Sequence, residues 1–486
     1  MAGIYLHIPF CKRRCIYCDF YSTVQEEKKD AYVQALCKEL EIRRHYIEEE
    51  PIETIYFGGG TPSQLDEKAF KQIFDCIART FDIDYSPVTL NKIPAFGTER
   101  IHNRENAPIY PVDKLPSSST KETYSIEKPA VHLSDISASD TSRASSIDCS
   151  PVIPTAINPD PETKQKDNST ENSPVYPIDI PSSETGQTFR MSHCKEITLE
   201  ANPDDLSEEY VQMLRRLPFN RISIGIQTFH DPTLQLLQRR HTAQQAIDAV
   251  HRCQDAGFHN ISIDLIYGLP NETDETWQAD LQQAINLKVQ HISAYHLIYE
   301  EGTPLWNLKA QHQVNEVEEE KSLAFFTQLI DTLSEAGYEQ YEISNFCLPG
   351  YYSRHNSGYW REKKYIGCGP SAHSYNGISR QWNKPSLDEY IRQIEKGIVP
   401  FEEEKLNRYT RYNDRIITSI RTTWGLSLSK LRSDFGEILY HYCLQNACPH
   451  IEHGMLEIKK DTLRLTRQGI FISDGIMSDL LWVDDE

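Results

Sequence analysis

Tyr5-Leu-His-Ile-Pro-Phe-Cys11-Lys-Arg-Arg-Cys15-Ile-Tyr-Cys18-Asp-Phe20 decides how this chain is read. A short apolar strand carrying Tyr5 and His7 runs into a loop whose three cysteines are spaced C-x3-C-x2-C. An ordinary 4Fe-4S cluster is held by four thiolates. Three closely spaced thiolates can hold three irons and leave the fourth open, and an open metal position can bind a small molecule. The competing reading is three unconnected thiols, or part of a zinc site. Zinc knuckles pair C-x2-C or C-x4-C with a second pair downstream, and none follows here. Cys37 and Cys76 fall on helical segments and read as small core residues. Lys12, Arg13 and Arg14 place positive charge beside the thiols, which favours thiolate; a solvated basic patch is the alternative.

Outward from this loop, strand and helix alternate. Ile4–Ile8 is a strand. Glu26–Tyr46 is an amphipathic helix with Tyr32, Leu36, Leu40 and Ile47 on one face. Glu53–Phe57 is a strand ending in Gly58-Gly59-Gly60-Thr61-Pro62, and helix Glu67–Thr80 follows. The alternation resumes with strand Glu196–Ala201, helix Glu208–Arg216, strand Arg221–Gln227, helix Pro232–Ala256, strand Asn260–Ile266 and helix Asp274–Leu287. Strand His291–Ile298, helix Val317–Ala336 and strand Tyr341–Ser344 complete it. Repetition of this kind predicts an α/β fold, a parallel sheet with crossover helices in a partial, open TIM-like barrel. The nearly continuous apolar strands suit a sheet covered on both sides.

Between Asn91 and Ser192 the character changes. Twelve of the chain's 26 prolines fall there, with frequent serine and threonine and no hydrophobic periodicity. Such a composition cannot bury enough apolar surface to offset its ordering entropy. The organisation expected is a barrel from 1–90 and 193–386, split by a long disordered insertion over 91–192. A small, mainly α, winged-helix-like C-terminal domain spans 387–486. In it Tyr409–Thr422, Leu426–Phe435 and Ile470–Leu481 read as helices, with a strand pair near Leu456–Thr466. Cys443, Cys448, His441, His450 and His453 also lie there, without the paired spacing of a metal site.

Size, charge and cysteine usage narrow the class. The 486 residues allow two or three domains. Twelve cysteines are too few for a disulfide scaffold and suit reduced thiols in a cytoplasmic setting. The N-terminus lacks a charged n-region followed by an apolar h-region, and no run approaches the roughly 20 apolar residues of a membrane span. The net charge of −21 argues against nucleic-acid binding and against anionic lipid.

In a parallel barrel, ligands bind beyond the carboxyl ends of the strands. Gly58-Gly59-Gly60-Thr61 follows the second strand, where side-chain-free backbone can approach a ligand and offer N–H groups. Glu200 and Gln227 end the third and fourth strands, Arg239 lies on the next helix, and Asp264 sits inside an apolar strand. A carboxylate there is costly unless paired or bound to a ligand. Glu200 and Asp264 are therefore candidate site residues; a structural carboxylate capping a loop, or pairing with Arg221 or Arg240, is the alternative.

These blocks together resemble one family. Tyr5-x-His7-x-Pro-Phe-Cys11, Gly-Gly-Gly-Thr-Pro-Ser, Ile-Thr-Leu-Glu200-Ala-Asn-Pro, Ile-Gly-Ile-Gln227-Thr-Phe and Asp264-Leu-Ile-Tyr-Gly-Leu-Pro look like the oxygen-independent coproporphyrinogen III oxidase family of radical S-adenosylmethionine (SAM) proteins. The resemblance covers nearly all of the chain outside about 91–192. It implies that Cys11, Cys15 and Cys18 hold a 4Fe-4S cluster. It also implies that Tyr5, Tyr17, Gly59, Gly60, Thr61, Glu200, Gln227, Arg239 and Asp264 contact SAM, whose methionine group chelates the open iron. An electron from the cluster then cleaves a carbon–sulfur bond.

The family has two branches. Its oxidases carry C-x3-C-x2-C-x-C and a sizeable segment ahead of the cluster loop. Here Phe20 stands at the fourth-cysteine position and ten residues precede Cys11. The haem-chaperone branch has Cys-Asp-Phe at this point and an H-N-x-x-Y-W motif, matched by Cys18-Asp19-Phe20 and by His355-Asn356-Ser357-Gly358-Tyr359-Trp360. A neutral imidazole is a common haem ligand, and Tyr359 and Trp360 offer flat apolar surface to a macrocycle. The resemblance thus implies haem at His355, Asn356, Tyr359 and Trp360, read as lying on the surface; His373 and Cys368 are weaker candidates. No catalytic residue is assigned.

The expected activity is that of a haem chaperone that passes haem to acceptor haem proteins. It would be a homodimer or a peripheral membrane associate through a partner. The alternative is oxidative decarboxylation of coproporphyrinogen III to protoporphyrinogen IX. A radical SAM methyltransferase would need a methyl-acceptor device that is not found.

Overall fold

A computed structural model describes residues 1–88, 188–191 and 193–483. The chain opens with β1 (Ala2–Ile8), α1 (Lys29–Ile42), β2 (Ile52–Gly59), α2 (Glu67–Phe81), β3 (Tyr85–Val88) and β4 (Thr188–Met191). β5 (Glu196–Ala201), α3 (Glu208–Arg216), β6 (Arg221–Gln227), α4 (Asp231–Leu236), α5 (Ala243–Asp255), β7 (Ile261–Tyr267), α6 (Asp274–Asn286) and β8 (His291–His296) follow. Next come α7 (Pro304–Ala310), α8 (Glu319–Glu335), β9 (Glu339–Glu342), β10 (Asn345–Cys347), α9 (Arg354–Trp360), β11 (Tyr365–Cys368), β12 (His373–Tyr375), β13 (Ser379–Asn383), α10 (Leu387–Glu395) and β14 (Phe401–Lys405).

One sheet runs β14-β13-β12-β11-β1-β2-β5-β6-β7-β8-β10-β9. The strands from β11 to β8 are parallel, and each edge is finished by antiparallel strands. β14 and β9 do not pair, so the barrel is open, as the alternation predicts. β5, α3 and β6 coincide with their sequence-expected bounds. Strand patterning is strong here because one face meets the helices: Ile222, Ile224 and Ile226 alternate into a fully buried layer.

Four departures from expectation have local causes. The helix expected over Pro232–Ala256 is two helices. Gln238 takes φ +58°, and Thr242 starts α5 with a capping box, its hydroxyl accepting from Gln245 N and Gln245 Oε1 from Thr242 N. Arg239 is therefore in the break, not on a helix. Thr188–Met191, inside the segment read as an insertion, is a strand paired antiparallel with β3, with Val88 opposite Thr188; the rest of the 91–192 reading lies outside the described residues.

The third departure concerns 387–405. It belongs to the barrel and not to the C-terminal domain: Leu387, Tyr390 and Ile394 pack in the barrel's core, and β14 edges its sheet. A second core, containing Tyr412, Ile416, Leu431, Leu439 and Leu463, begins with α11 (Arg408–Ile420). It continues through β15 (Leu426–Ser427), α12 (Leu428–Glu452), β16 (Leu456–Lys459), β17 (Thr462–Leu465), α13 (Arg467–Ile470) and α14 (Ser473–Leu480). β15-β17-β16 form a small antiparallel sheet against these helices, the winged-helix-like arrangement. Lastly, α12 bends at Gly436, φ +71°, where the Arg408 guanidinium donates to the freed Phe435 carbonyl. Among the described residues, no helix is long and apolar enough to cross a membrane.

Candidate cluster and cofactor site

The cysteine loop leaves the carboxyl end of β1 and is closed at its base. Thr23 N donates to Pro9 O (2.7 Å) and Cys11 N to Thr23 O (2.8 Å). Within it, Cys18 N donates to Cys15 O. Two of the thiols are tied to different parts of the rim. Cys11 Sγ lies 3.2 Å from Thr61 Oγ1, after the glycine turn. Cys15 Sγ accepts from Arg239 Nη1 at 3.3 Å. Burial pushes the Cys11 thiol up, and the Cys18 thiol up to about 11, and the Cys15 sulfur beside them raises both further. The cations that offset this include Arg240 near Cys11 and Arg14 near Cys18, while Lys12 pairs with Asp205. At Cys11 and Cys18 the expected acidifying effect of the basic run is thus outweighed by burial, and their deprotonation is left to metal binding.

Three soft donors on one short loop, flanked by guanidinium groups, fit a 4Fe-4S cluster with an open iron. Among the described residues, no three His, Cys, Asp or Glu side chains gather on a single metal ion.

The glycine turn is shaped by close packing against β1. Gly59 has φ +105°, and a Cβ there would meet the His7 ring at 2.7 Å. A Cβ on Gly60 would lie 2.8 Å from the Pro9 carbonyl carbon. The N–H groups expected to face a ligand are already used: Gly59 N donates to Glu200 Oε2 (3.2 Å) and Gly60 N to Ile8 O (2.9 Å). Glu200 also accepts from Tyr56 Oη at 2.7 Å. Burial, with Asp264 nearby, pushes Glu200 up to about 7. Burial likewise lifts Asp264 to about 6, although Ser223 and Ser293 bond it. Neither carboxylate forms an ion pair among the described residues. Arg221 bonds Asn260, and Arg240 pairs with Asp204 and Asp205, so neither arginine forms the expected pair, while the Glu200 bond to Gly59 N is the loop-capping contact of the structural alternative.

Arg239 Nη2 donates to Asn202 Oδ1 (2.7 Å) and Gly225 O (2.5 Å), while its Nε is buried with no partner among the described residues. Gln227 ends β6 at φ +75° and folds its amide back over Gly225. Tyr17 is half-buried beside Cys15 and Arg239. Tyr5 Oη donates to His7 Nδ1 (3.1 Å), and His7 Nε2 donates to Tyr21 O (2.9 Å). Burial lowers His7 to about 4, so the ring is neutral. Cys11, Cys15, Cys18, Tyr17, Gly59, Gly60, Thr61, Glu200, Gln227 and Arg239 therefore gather at one end of the barrel, with Tyr5 and Asp264 on its inner wall. The orphaned Arg239 Nε and the two unpaired carboxylates are groups that SAM would satisfy.

Sequence reasoning passed over Asn202 and Asp205. Asn202 bridges Arg239 and Thr61, and Asp205 accepts from Ser63, Gln64, Lys12 and Arg240. Their signal is in the chain: both fall in the loop just beyond β5.

The H-N-x-x-Y-W segment is not on the surface. It forms α9, which seals the amino ends of β1, β2 and β5, opposite the cysteine loop. Glu196 accepts from the backbone N–H groups of Arg354 and His355. His355 is 3 % exposed. Its Nδ1 bonds Thr54 Oγ1 and its Nε2 bonds Tyr359 Oη, both at 2.8 Å. The ring stacks on Tyr56 and Tyr5 at 5.0 and 6.5 Å, and burial lowers it to about 3. Both nitrogens of this neutral ring are engaged, so His355, read from the sequence as a surface residue, is a buried plug in this structure. Tyr359 packs on Tyr365, the Trp360 face receives the Arg421 cation, and Asn356 N is capped by Ser353. Cys368 is fully buried. His373, by contrast, is exposed.

Comparison with known proteins agrees with this geometry. The Radical SAM superfamily model matches residues 5–92 and 187–284, and the HemN C-terminal domain model matches residues 406–472. The chain is 26 % identical over 484 residues to a protein of Lactococcus lactis named heme chaperone HemW, covering 99 % of this chain and 97 % of that one. A protein of Bacillus subtilis with the same name is also 26 % identical, covering 99 % of each. In fold, coproporphyrinogen III oxidase (HemN) from Escherichia coli superposes with a TM-score of 0.67 at 17 % identity, covering 99 % of this chain and 89 % of that one. The chain thus carries a radical SAM domain and a HemN C-terminal domain, on the fold shared with coproporphyrinogen III oxidase (HemN).

Proposed function

We propose that this protein is a haem chaperone built on a radical SAM scaffold, binding haem and passing it to acceptor haem proteins. The observation that carries the reading is end-to-end similarity to two proteins named heme chaperone HemW, together with Phe20 where the oxidases place a further cysteine. Phe20 is 67 % exposed and supplies no ligand to iron.

In this reading Cys11, Cys15 and Cys18 hold the 4Fe-4S cluster. Tyr17, Gln227 and Arg239 line the SAM site, with Glu200 and Asp264 as its acids. When bound, cluster and SAM supply one-electron cleavage chemistry. The residues themselves hold charge and exclude water. Arg239 balances thiolate charge at Cys15, and the Tyr5–His7–Tyr21 chain fixes the wall behind the loop. A reducing, cytoplasmic setting suits the free thiols, and partners would be haem, acceptor proteins and a second copy of the chain.

The test is an anaerobic assay on cluster-loaded protein given SAM, reductant and coproporphyrinogen III, beside transfer of bound haem to an apo haem protein. Haem transfer without porphyrinogen conversion is expected. Protoporphyrinogen formed over multiple turnovers would make the protein an oxidase instead.

A further inference from the structure

We propose that His373, on the concave face of the sheet beside the cysteine loop, is the residue that ligates the haem iron. This deepens the haem-binding reading above and rests on it. The register fixes the placement. β12 follows β11, which is parallel to β1, and His373 is directly opposite Trp382 of β13. Its neighbour Ser374 points to the helix side, where Arg43 bonds it. His373 therefore points the other way, onto the inner face that also carries Tyr5 and His7. It lies close enough to His7 for the two rings to interact electrostatically.

Three features suit this spot to haem. First, the imidazole is exposed, and neither ring nitrogen has a hydrogen bond among the described residues. Partial burial and the Arg380 cation lower its affinity for a proton, and a neutral ring is the ligating form. Secondly, apolar planes lie nearby. The His373 ring stacks on Trp382 at 6.2 Å and 26°. Tyr21 packs on His7, and the adjacent Phe20 is mostly exposed, as is Val24. An exposed phenylalanine on this loop is surface that a macrocycle would cover. Thirdly, haem carries two carboxylates. Arg13 and Arg14 form no ion pair among the described residues, and Arg14 lies near Cys18 and Tyr21. In a chain of net charge −21, unpaired guanidinium groups on this rim are suited to propionates. Two other exposed histidines, His45 and His453, are by contrast each bonded to a polar partner.

The test is hemin titration of the full chain, cluster-loaded and anaerobic, followed by resonance Raman and EPR of the bound haem. The variants are His373→Ala, His373→Tyr and Arg14→Glu, beside His355→Phe. His373→Ala is expected to weaken hemin binding at least about tenfold and to abolish the imidazole-ligated signature. Arg14→Glu should weaken binding without changing the ligand field. His373→Tyr should still bind, with a phenolate signature, because tyrosinate can ligate haem iron; that result also separates ligation from folding. Wild-type affinity and spectrum in His373→Ala would overturn the assignment, as would loss of the imidazole signature in a folded His355→Phe alone. Failure of the wild type to bind hemin would remove the haem-carrying reading itself.

Discussion

Arg239 Nη1 lies 3.3 Å from Cys15 Sγ, while Nη2 of the same guanidinium bonds Asn202 and Gly225. One planar cation therefore joins the cysteine loop, the loop after β5 and the end of β6. Arg239 can do this because it sits in the short break between α4 and α5, free of helical geometry. Removing it leaves a buried carbonyl and amide without their donor. Arg239→Ala should lower unfolding free energy by about 2–4 kcal/mol. Arg239→Lys, which keeps charge and loses the planar fork, should cost about half of that. Chemical denaturation checks this, and an unshifted midpoint in Arg239→Ala would show that the three contacts hold nothing together.

Cluster iron should depend on three thiols only. Cys11→Ala, Cys15→Ala and Cys18→Ala should each drop iron from about four per chain towards zero, with loss of the broad visible absorption. Cys37→Ala is the control, because Cys37 packs between α1 and α2, its Sγ facing Gln72 O. Full iron content in a Cys15→Ala preparation would refute the ligand set.

The buried position of His355 changes what its loss should do. Phenylalanine there would strand Thr54 Oγ1 and Tyr359 Oη in a dry interior. His355→Phe should cost about 2–4 kcal/mol of stability and leave hemin affinity as it is in the wild type. Urea unfolding and hemin titration on one preparation separate the two effects.

Much of this was legible in the sequence, for reasons that also mark where legibility stops. β5 and β6 announce themselves because apolar residues alternate onto the face that meets the helices, and Glu200 and Asp264 stand out because a carboxylate is conspicuous in such a strand. The Cys11–Cys18 spacing is local and needs no fold to be seen. His355 is the opposite case. Its hydrogen-bond partner Thr54 is 301 residues away, and a histidine beside asparagine and serine looks like surface. β11 to β14 were missed for a related reason. They are three to five residues long, and their inner face carries His373, Trp382 and Glu402 in place of an apolar stripe. The Gln238 break was hidden because a capping box inside a polar run resembles ordinary helix.

Glu53 gives the fold a predictable acid limit. Burial pushes its carboxyl up, but the ammonium groups of Lys195 and Lys363 bond it at 2.8 and 2.6 Å and together hold it at about 2. The folded value is below the ordinary value of 4.5. The contribution is therefore complete above that value and is lost as pH falls towards 2. It should amount to about 1–3 kcal/mol, since both lysines are partly exposed and screened. Glu53→Gln should flatten this part of the stability–pH profile, and an unchanged slope between pH 5 and 2 would remove Glu53 from the acid response.

The register of β3 and β4 makes the segment between them testable. Val88 is opposite Thr188 in an antiparallel ladder, so the two ends are already placed as in a hairpin. Two residues can close such a pair, and Asn-Gly is the favoured choice because both positions need positive φ. Replacing residues 89–187 by Asn-Gly should therefore preserve the barrel. The segment has no hydrophobic periodicity of its own, and closing a shorter loop costs less entropy than closing a long one. Iron per chain, hemin affinity and the unfolding midpoint should match the full chain or exceed it slightly in stability. A shortened chain that cannot hold iron would show that the segment carries part of the site.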